Sequence, residues 1–394
     1  MRLLAISQAV KPTGYARVLR SILEFLSRDL DVLYFGINYS GEAIDNGYPI
    51  WPNRLIGDIF GREQLPKLLN DFQPDRILLC HDYAFYSVHQ YALTAYQGEH
   101  PEARVFFYCP IEWSNIPPLN LASLALVDQL VAYTEFGRRV MENAFERLSI
   151  PPSRPVKVLP HGVDFNTFRP LVPGSMDDSK RQALSVLFPD RPDLQDRFLV
   201  LNANRNCPRK RVDLTLEAFA EFSKGKPDTL LYLHMGMKDS GCDVLGLAER
   251  LGIRDRLLLT TEGPEKPDVT DEHLNLIYNA CDAGLNTSTG EGWGLVAFEH
   301  AATGAPQIVP NHSACAELWK ENGLLIPVEE TPDSPGQISV DGAAAALDLL
   351  YRHHALRGYY SASAITYVRS SRFSWENIAA RWKNLLSESR FESA

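Results

Sequence analysis

Short apolar runs alternate with amphipathic stretches along the whole chain. Leu3–Ile6, Val32–Phe35, Arg76–Cys80, Val105–Tyr108, Gln129–Tyr133 and Val156–Leu159 are nearly continuous in hydrophobicity and predict strands. Strands apolar at almost every position are buried on both faces, which suits a parallel sheet covered by helices. Between them, Ala16–Ser27, Leu65–Phe72 and Gly137–Arg147 carry a helical period. The alternation restarts at Phe198–Asn202 and runs through Leu230–His234, Arg256–Thr260, Ala283–Asn286 and Gln307–Val309. Two α/β units in tandem are therefore predicted. The break falls in the polar, Pro- and Asp-rich stretch 165–197, and a second polar stretch, Glu329–Gly336, predicts a surface loop in the second unit.

The length of 394 residues agrees with two domains. Lys and Arg number 39 against 49 Asp and Glu, a formal charge of −10 that argues against a nucleic-acid binder. At 45% hydrophobic and 22% charged residues, wholesale disorder is excluded. No apolar run approaches the ~20 residues that span a bilayer. The opening MRLLAIS reads as a first strand and not as a signal peptide. Six cysteines (80, 109, 207, 242, 281, 315) are scattered without C-x-x-C spacing, so buried thiols in a reducing compartment are expected, with neither a disulfide frame nor a zinc site. The expectation is a soluble cytoplasmic protein.

The chemistry concentrates in Asn286–Pro306, NTSTGEGWGLVAFEHAATGAP. A predicted strand runs into a Gly-rich turn and then into a helix starting near Trp293 or Gly294, capped by Gly304 and stopped by Pro306. Unpaired N–H groups and the positive helix end near Gly294 and Leu295 make an anion site suited to a diphosphate. Glu291 precedes the helix and Glu299 lies within it, leaning back along the same face. One carboxylate can accept hydroxyl hydrogen bonds from a sugar and the other from a ribose. A capped surface helix is the bland reading of two glutamates eight apart. The three glycines around Glu291 and the run E-H-A-A-x-G-x-P after it favour the sharper one.

These residues resemble the retaining GT-B glycosyltransferases, the family that includes glycogen and sucrose synthases and many bacterial mannosyl- and glucosyltransferases. Its signature is two glutamates separated by seven residues in an E-G-F-G-L … E-A-x-A-x-G-x-P context. Trp293 and His300 are the departures here. Arg205 and Lys210, after the strand Phe198–Asn202, match an Arg and a Lys that the family places against the donor phosphates; Arg209 and Arg211 have no role by that resemblance and are expected to be exposed. The resemblance implies two Rossmann-like domains facing each other across a cleft. Residues 1–168, completed by a C-terminal helix 373–394, would bind the acceptor; 169–197 would be a linker; 198–372 would bind the nucleotide sugar. Gly292, Trp293, Gly294 and Leu295 would hold the donor phosphates, Glu299 the ribose and Glu291 the sugar. Pro160-His-Gly-Val-Asp164 resembles the interdomain hinge, with His161 structural.

The first domain is less sharply marked. Gly14 and Tyr15 sit in the loop after the first strand, beside Lys11 and Pro12, and are candidates for the acceptor and phosphate loop. After Val105–Tyr108 the family often has a histidine that contacts the transferred sugar; here the chain reads Cys109-Pro-Ile-Glu112-Trp113, so Glu112, with Trp113 beside it, is one candidate and His81, next to Asp82, its rival. Residues 1–170 hold 16 Lys and Arg against 18 Asp and Glu, which does not indicate a membrane acceptor. Residues 1–23 contain no Asp, Glu or His to act as the base of an inverting reaction, in agreement with retention. No cofactor and no divalent metal are expected, since cations and a helix end already serve the phosphates. The alternatives are a non-catalytic sugar-nucleotide sensor or scaffold, or a phosphorylase of related fold, for which no lysine motif clearly marks a pyridoxal phosphate site.

Overall fold

A computed structural model describes residues 1–9, 13–41, 47–53, 57–265, 267–331 and 334–388. The chain divides into two units, Met1–Gly162 with the segment from Ser371, and Val163–Ser370.

The first unit is built on seven parallel strands: β1 (Arg2–Gln8), β2 (Asp31–Ile37), β3 (Ile50–Pro52), β4 (Arg76–Cys80), β5 (Arg104–Cys109), β6 (Gln129–Ala132) and β7 (Lys157–Val158). Their order is β3-β2-β1-β4-β5-β6-β7. Every residue of β5 and β6 is buried, as two-sided coverage by helices demands. The helix Tyr86–Glu99 is absent from the hydrophobic pattern because its buried face is Tyr86, His89, Leu93 and Tyr96, only one of them aliphatic. The helix Trp375–Ser387 packs against Gly14–Leu26 in this unit. Trp382 meets the Tyr108 ring edge-on at 5.0 Å, and Arg76 and Arg104 donate to the carbonyls of Leu386 (2.7 Å) and Glu388 (2.6 Å). Residues 389–394 of the expected C-terminal helix lie outside the described residues, as do Lys11 and Pro12. A Cβ on Gly162 would fall 2.6 Å from the Trp375 ring, so glycine permits the Pro160–Gly162 run to lie against this helix.

The second unit has six parallel strands: β8 (Phe198–Asn202), β9 (Thr229–Leu233), β10 (Leu257–Leu259), β11 (Ala283–Leu285), β12 (Gln307–Pro310) and β13 (Leu324–Ile326), in the order β10-β9-β8-β11-β12-β13. The stretch 169–197, expected as a linker, is part of this unit and carries the helix Met176–Leu187. Its buried face is Ser179, Lys180, Ala183 and Leu184, too polar to register as a hydrophobic period. Lys180 Nζ reaches Asp282 at 2.6 Å and the Arg197 carbonyl at 2.5 Å, tying the helix to the sheet. The expected surface loop Glu329–Gly336 falls in an antiparallel hairpin of β14 (Val328–Thr331) and β15 (Ser334–Ile338). No helix among the described residues is long and apolar enough to cross a membrane.

Candidate active site

Each sheet has one place where successive connections leave in opposite directions. In the second unit it lies between β8 and β11, in the first between β1 and β4. Open parallel sheets bind ligands outside the carboxyl ends of such strands. The loops there are 203–211 and 286–294 in the second unit, and those leading to Tyr15 and His81 in the first.

A chain of hydrogen bonds locks the two second-unit loops together. Asn202 Nδ2, at the end of β8, donates to Thr215 Oγ1 at 2.8 Å. Thr215 and Thr287 hydroxyls are 2.7 Å apart, and Thr287 Oγ1 donates to the Arg211 carbonyl at 2.8 Å. This connection brings Glu291 to the cations of the 205–211 turn. Its carboxylate is paired with Lys210 Nζ and lies 3.2 Å from Arg209 Nη1. Asn286 Nδ2 donates to Oε1 at 3.0 Å, and Ser288 Oγ lies 2.9 Å from the same oxygen. Burial would raise the pKa of Glu291, but the Lys210 and Arg209 charges and the hydrogen bonds from Lys210 and Asn286 outweigh it and hold the group at about 2. A buried carboxylate, ionised at neutral pH and set at a strand end, is suited to accept hydrogen bonds from hydroxyls.

Glu299 is also buried, on the helix Leu295–Ala302, and accepts from Tyr278 Oη at 2.9 Å. His300 stacks on that tyrosine, centroids 5.4 Å apart, and burial lowers its pKa to about 3, so it is a neutral packing residue. The helix begins after Gly294, whose φ of 97° is the left-handed conformation glycine tolerates, and no side chain caps it. The N–H groups of Leu295 and Val296 therefore have no intrahelical acceptor. Gly292 lies in the bend leading to that start. Trp293 was expected among the donor contacts. Its ring stacks on Phe298 at 4.6 Å and is buried, which leaves its backbone for that role.

The basic turn differs from the reading of its sequence at Arg209. Arg209, expected exposed and without a role, donates to the Gly290 carbonyl at 2.6 Å as well as facing Glu291. Arg205 forms a two-pronged pair with Asp239 (2.6 and 3.1 Å), its side chain 63% exposed. Arg211 pairs with Asp213 and Gln337. Asn286, Ser288, His312 and Ser313 contact Glu291 or its loop without having been singled out by the sequence, and Arg209 was given no role. The only sign of the first two was a run of small polar residues just beyond a buried strand.

In the first unit, Gly14 is the first residue of its helix, which Thr13 caps by accepting from Ala16 N. Tyr15 donates to Asp82 and stacks on His81, centroids 4.9 Å apart. His81 also stacks on Phe85 at 4.2 Å. Burial, then the charges of Asp82 and Glu112, push the Tyr15 hydroxyl well above its usual range, so Glu112 shares this neighbourhood. A His-Asp pair thus does stand against Tyr15 at the start of the first helix, although residues 1–23 contain no such group. Its chemistry is restricted, however. His81 Nδ1 accepts from Asp82 N at 2.8 Å, which assigns the hydrogen to the buried Nε2, and burial lowers its pKa against the opposing effect of Asp82. His81 is then a neutral hydrogen-bond donor with its basic nitrogen occupied. Trp113, beside Glu112, is partly buried and packs against the core of the unit. His161 is buried, 2.8 Å from Tyr108 Oη, with a pKa lowered by burial to about 3, as a structural histidine should be.

Residues 197–338 match the family described as Glycosyl transferases group 1. Over 233 residues the chain is 30% identical to the D-inositol 3-phosphate glycosyltransferase of Segniliparus rotundus, covering 57% of this chain and 45% of that protein. It is 25% identical over 293 residues to the GDP-mannose-dependent alpha-(1-6)-phosphatidylinositol monomannoside mannosyltransferase of Mycolicibacterium smegmatis, covering 71% and 68%. The chain spans about half the length of the D-inositol 3-phosphate glycosyltransferases it matches. In fold it is similar to sucrose-phosphate synthase from Thermosynechococcus elongatus, with a TM-score of 0.74 over 98% of both chains at 18% identity. It is also similar to WaaG, a glycosyltransferase involved in lipopolysaccharide biosynthesis, with a TM-score of 0.68 over 99% of this chain and 100% of that one at 13% identity.

Proposed function

Residues 197–338 belong to the glycosyl transferases group 1 and the chain has the GT-B fold, and from that premise we propose that the protein moves one sugar, with retention, from a UDP- or GDP-linked donor to an acceptor hydroxyl in glycoconjugate biosynthesis. The observation that carries this reading is Glu291, buried and ionised between Lys210 and Arg209 at the switch point of the second sheet. The uncapped helix start at Gly294 and Leu295 follows directly after it in the chain.

In this reading Glu291 accepts from donor-sugar hydroxyls and Glu299 from the ribose. Gly292–Leu295 present backbone N–H groups to the diphosphate. Lys210, with Arg205 released from Asp239, offsets the charge that grows on the departing phosphate oxygen. The bond from the anomeric carbon to that oxygen breaks, the acceptor oxygen bonds to the same face, and its proton passes to the departing phosphate. The front-face route needs no protein base, in keeping with His81 being a donor and not an acceptor at Nε2. Two cations and a helix start supply what a divalent metal would, so neither metal nor cofactor is part of the proposal.

Purified protein, turned over in EDTA with a panel of UDP- and GDP-sugars, is expected to give product whose anomeric proton coupling matches that of the donor. A β-linked product from an α-linked donor overturns retention and makes Asp82 or Glu112 the leading base. Glu299→Ala is expected to weaken nucleotide affinity about tenfold or more by calorimetry, the cost of hydrogen bonds to a charged acceptor. Unchanged affinity removes the ribose assignment.

A further inference from the structure

Glu291 lies outside any helix or strand, so no regular backbone ladder holds it. Its N–H donates to Ser313 Oγ at 3.1 Å, and its carbonyl accepts from Ala314 N at 3.2 Å. His312 completes the arrangement, with Nδ1 2.9 Å from Ser313 Oγ and Nε2 3.1 Å from the Ser288 carbonyl. A carbonyl only accepts, so Nε2 carries the hydrogen. In the neutral ring Nδ1 then accepts from the Ser313 hydroxyl, whose oxygen is left to accept from Glu291. His312, Ser313 and Glu291 are all buried. Ser313 pays for this position in backbone strain: its φ is 50°, in the left-handed region that serine seldom occupies and glycine enters freely. Strained residues of this kind persist where the surrounding contacts require them, and they cluster at functional sites.

We propose that His312 and Ser313 are positioning residues that hold the Glu291 backbone in place for the donor sugar, the strained serine being kept because its hydroxyl reaches the Glu291 N–H. The two ends of the segment Ser288–Glu291 are thereby tied to one imidazole, the Ser288 carbonyl directly and the Glu291 N–H through Ser313. The proposal rests on Glu291 being a donor-sugar contact. It adds that His312 and Ser313 set turnover without touching substrate.

Glycine at 313 relieves the strain while removing the hydroxyl, which separates a positioning role from a merely structural one. Ser313→Gly is expected to keep or raise Tm, leave UDP or GDP affinity within about twofold, and lower kcat about tenfold to a hundredfold, the scale on which small misplacements act. Amide exchange at Glu291 should become faster. Ser313→Ala, which keeps the strain and loses the bond, should lower both Tm and kcat, and His312→Ala should speed exchange at Glu291 as Ser313→Gly does. Wild-type exchange at Glu291 in Ser313→Gly, or wild-type kcat despite faster exchange, overturns the proposal. If the unaltered protein turns over no nucleotide sugar, it is the glycosyltransferase reading that fails, and the exchange rates still decide whether Ser313 and His312 hold Glu291.

Discussion

Lys210→Ala is expected to lower turnover by about 10²–10³, equivalent to the loss of one preorganised charge at a developing anion. The side chain faces two demands in succession. Without ligand it is paired with Glu291; with donor bound, in the proposed reaction, it also faces the phosphate. Removing it leaves Glu291 with Arg209 as its remaining charged partner within 4 Å, so the carboxyl moves up from about 2 toward its ordinary 4.5. The sign follows from the direction of that shift. A carboxyl whose pKa is lower folded than unfolded stabilises the protein above its unfolded value, and the contribution disappears as pH falls through the folded one. In the unaltered protein Glu291 accordingly contributes about 3 kcal/mol at neutral pH, lost between about pH 4.5 and pH 2. Acid unfolding followed by circular dichroism should show Lys210→Ala unfolding at higher pH than the unaltered protein. Arg209→Ala should act in the same direction and more weakly, about tenfold on turnover, because its nitrogen is 3.2 Å from Glu291 and its side chain more exposed than that of Lys210. Mild and equal effects of the two substitutions would mean that the basic turn is merely solvated.

The second large effect is on stability, away from the chemistry. Lys180→Ala is expected to cost about 3–5 kcal/mol, the usual penalty for removing one member of a buried ion pair. Both side chains are about 10% exposed. Asp282 would retain the Leu199 N–H at 2.8 Å, while the charge opposite it and the donor to the Arg197 carbonyl would be gone. Lys180→Met, which keeps the stem and removes the ammonium, should be nearly as damaging, since the buried carboxylate is then unpaired in the same way. Urea unfolding monitored by tryptophan fluorescence measures both. A loss below about 1 kcal/mol would show that Asp282 is reached by water once the lysine is removed.

The two substitutions also show which parts of the molecule were legible beforehand. The central strands were, because a strand buried on both faces is apolar at almost every position: Arg76–Cys80 and Phe198–Asn202 have the bounds their hydrophobicity predicts. So was the helix Leu65–Phe72. The short edge strands Ile50–Pro52 and Leu324–Ile326 were not, since three residues carry no periodicity. The helix Met176–Leu187 was hidden for a chemical reason, its inward face being half serine and lysine. That face is apolar in effect only because Asp282, 102 residues further on, neutralises the lysine.

On its own, the order of residues determined the two α/β units, the Gly-rich turn before a helix, and the glutamates 291 and 299, one before that helix and one within it. Each is a local matter of period, capping and spacing, readable wherever neighbours in sequence are neighbours in space. Partnership was decided by the tertiary structure. Arg205 and Lys210 are five apart in the chain, yet one turns to Asp239 and the other to Glu291, because the turn between them rotates their side chains to different neighbours. Arg209 has the composition of a solvated residue and becomes a contact of Glu291 only when β8 and β11 lie side by side. Tyr15 meets Asp82, and Ser313 meets Glu291, for the same reason. A parallel sheet brings the carboxyl ends of distant strands together, and the groups that meet there share a site through topology, which sequence spacing does not encode.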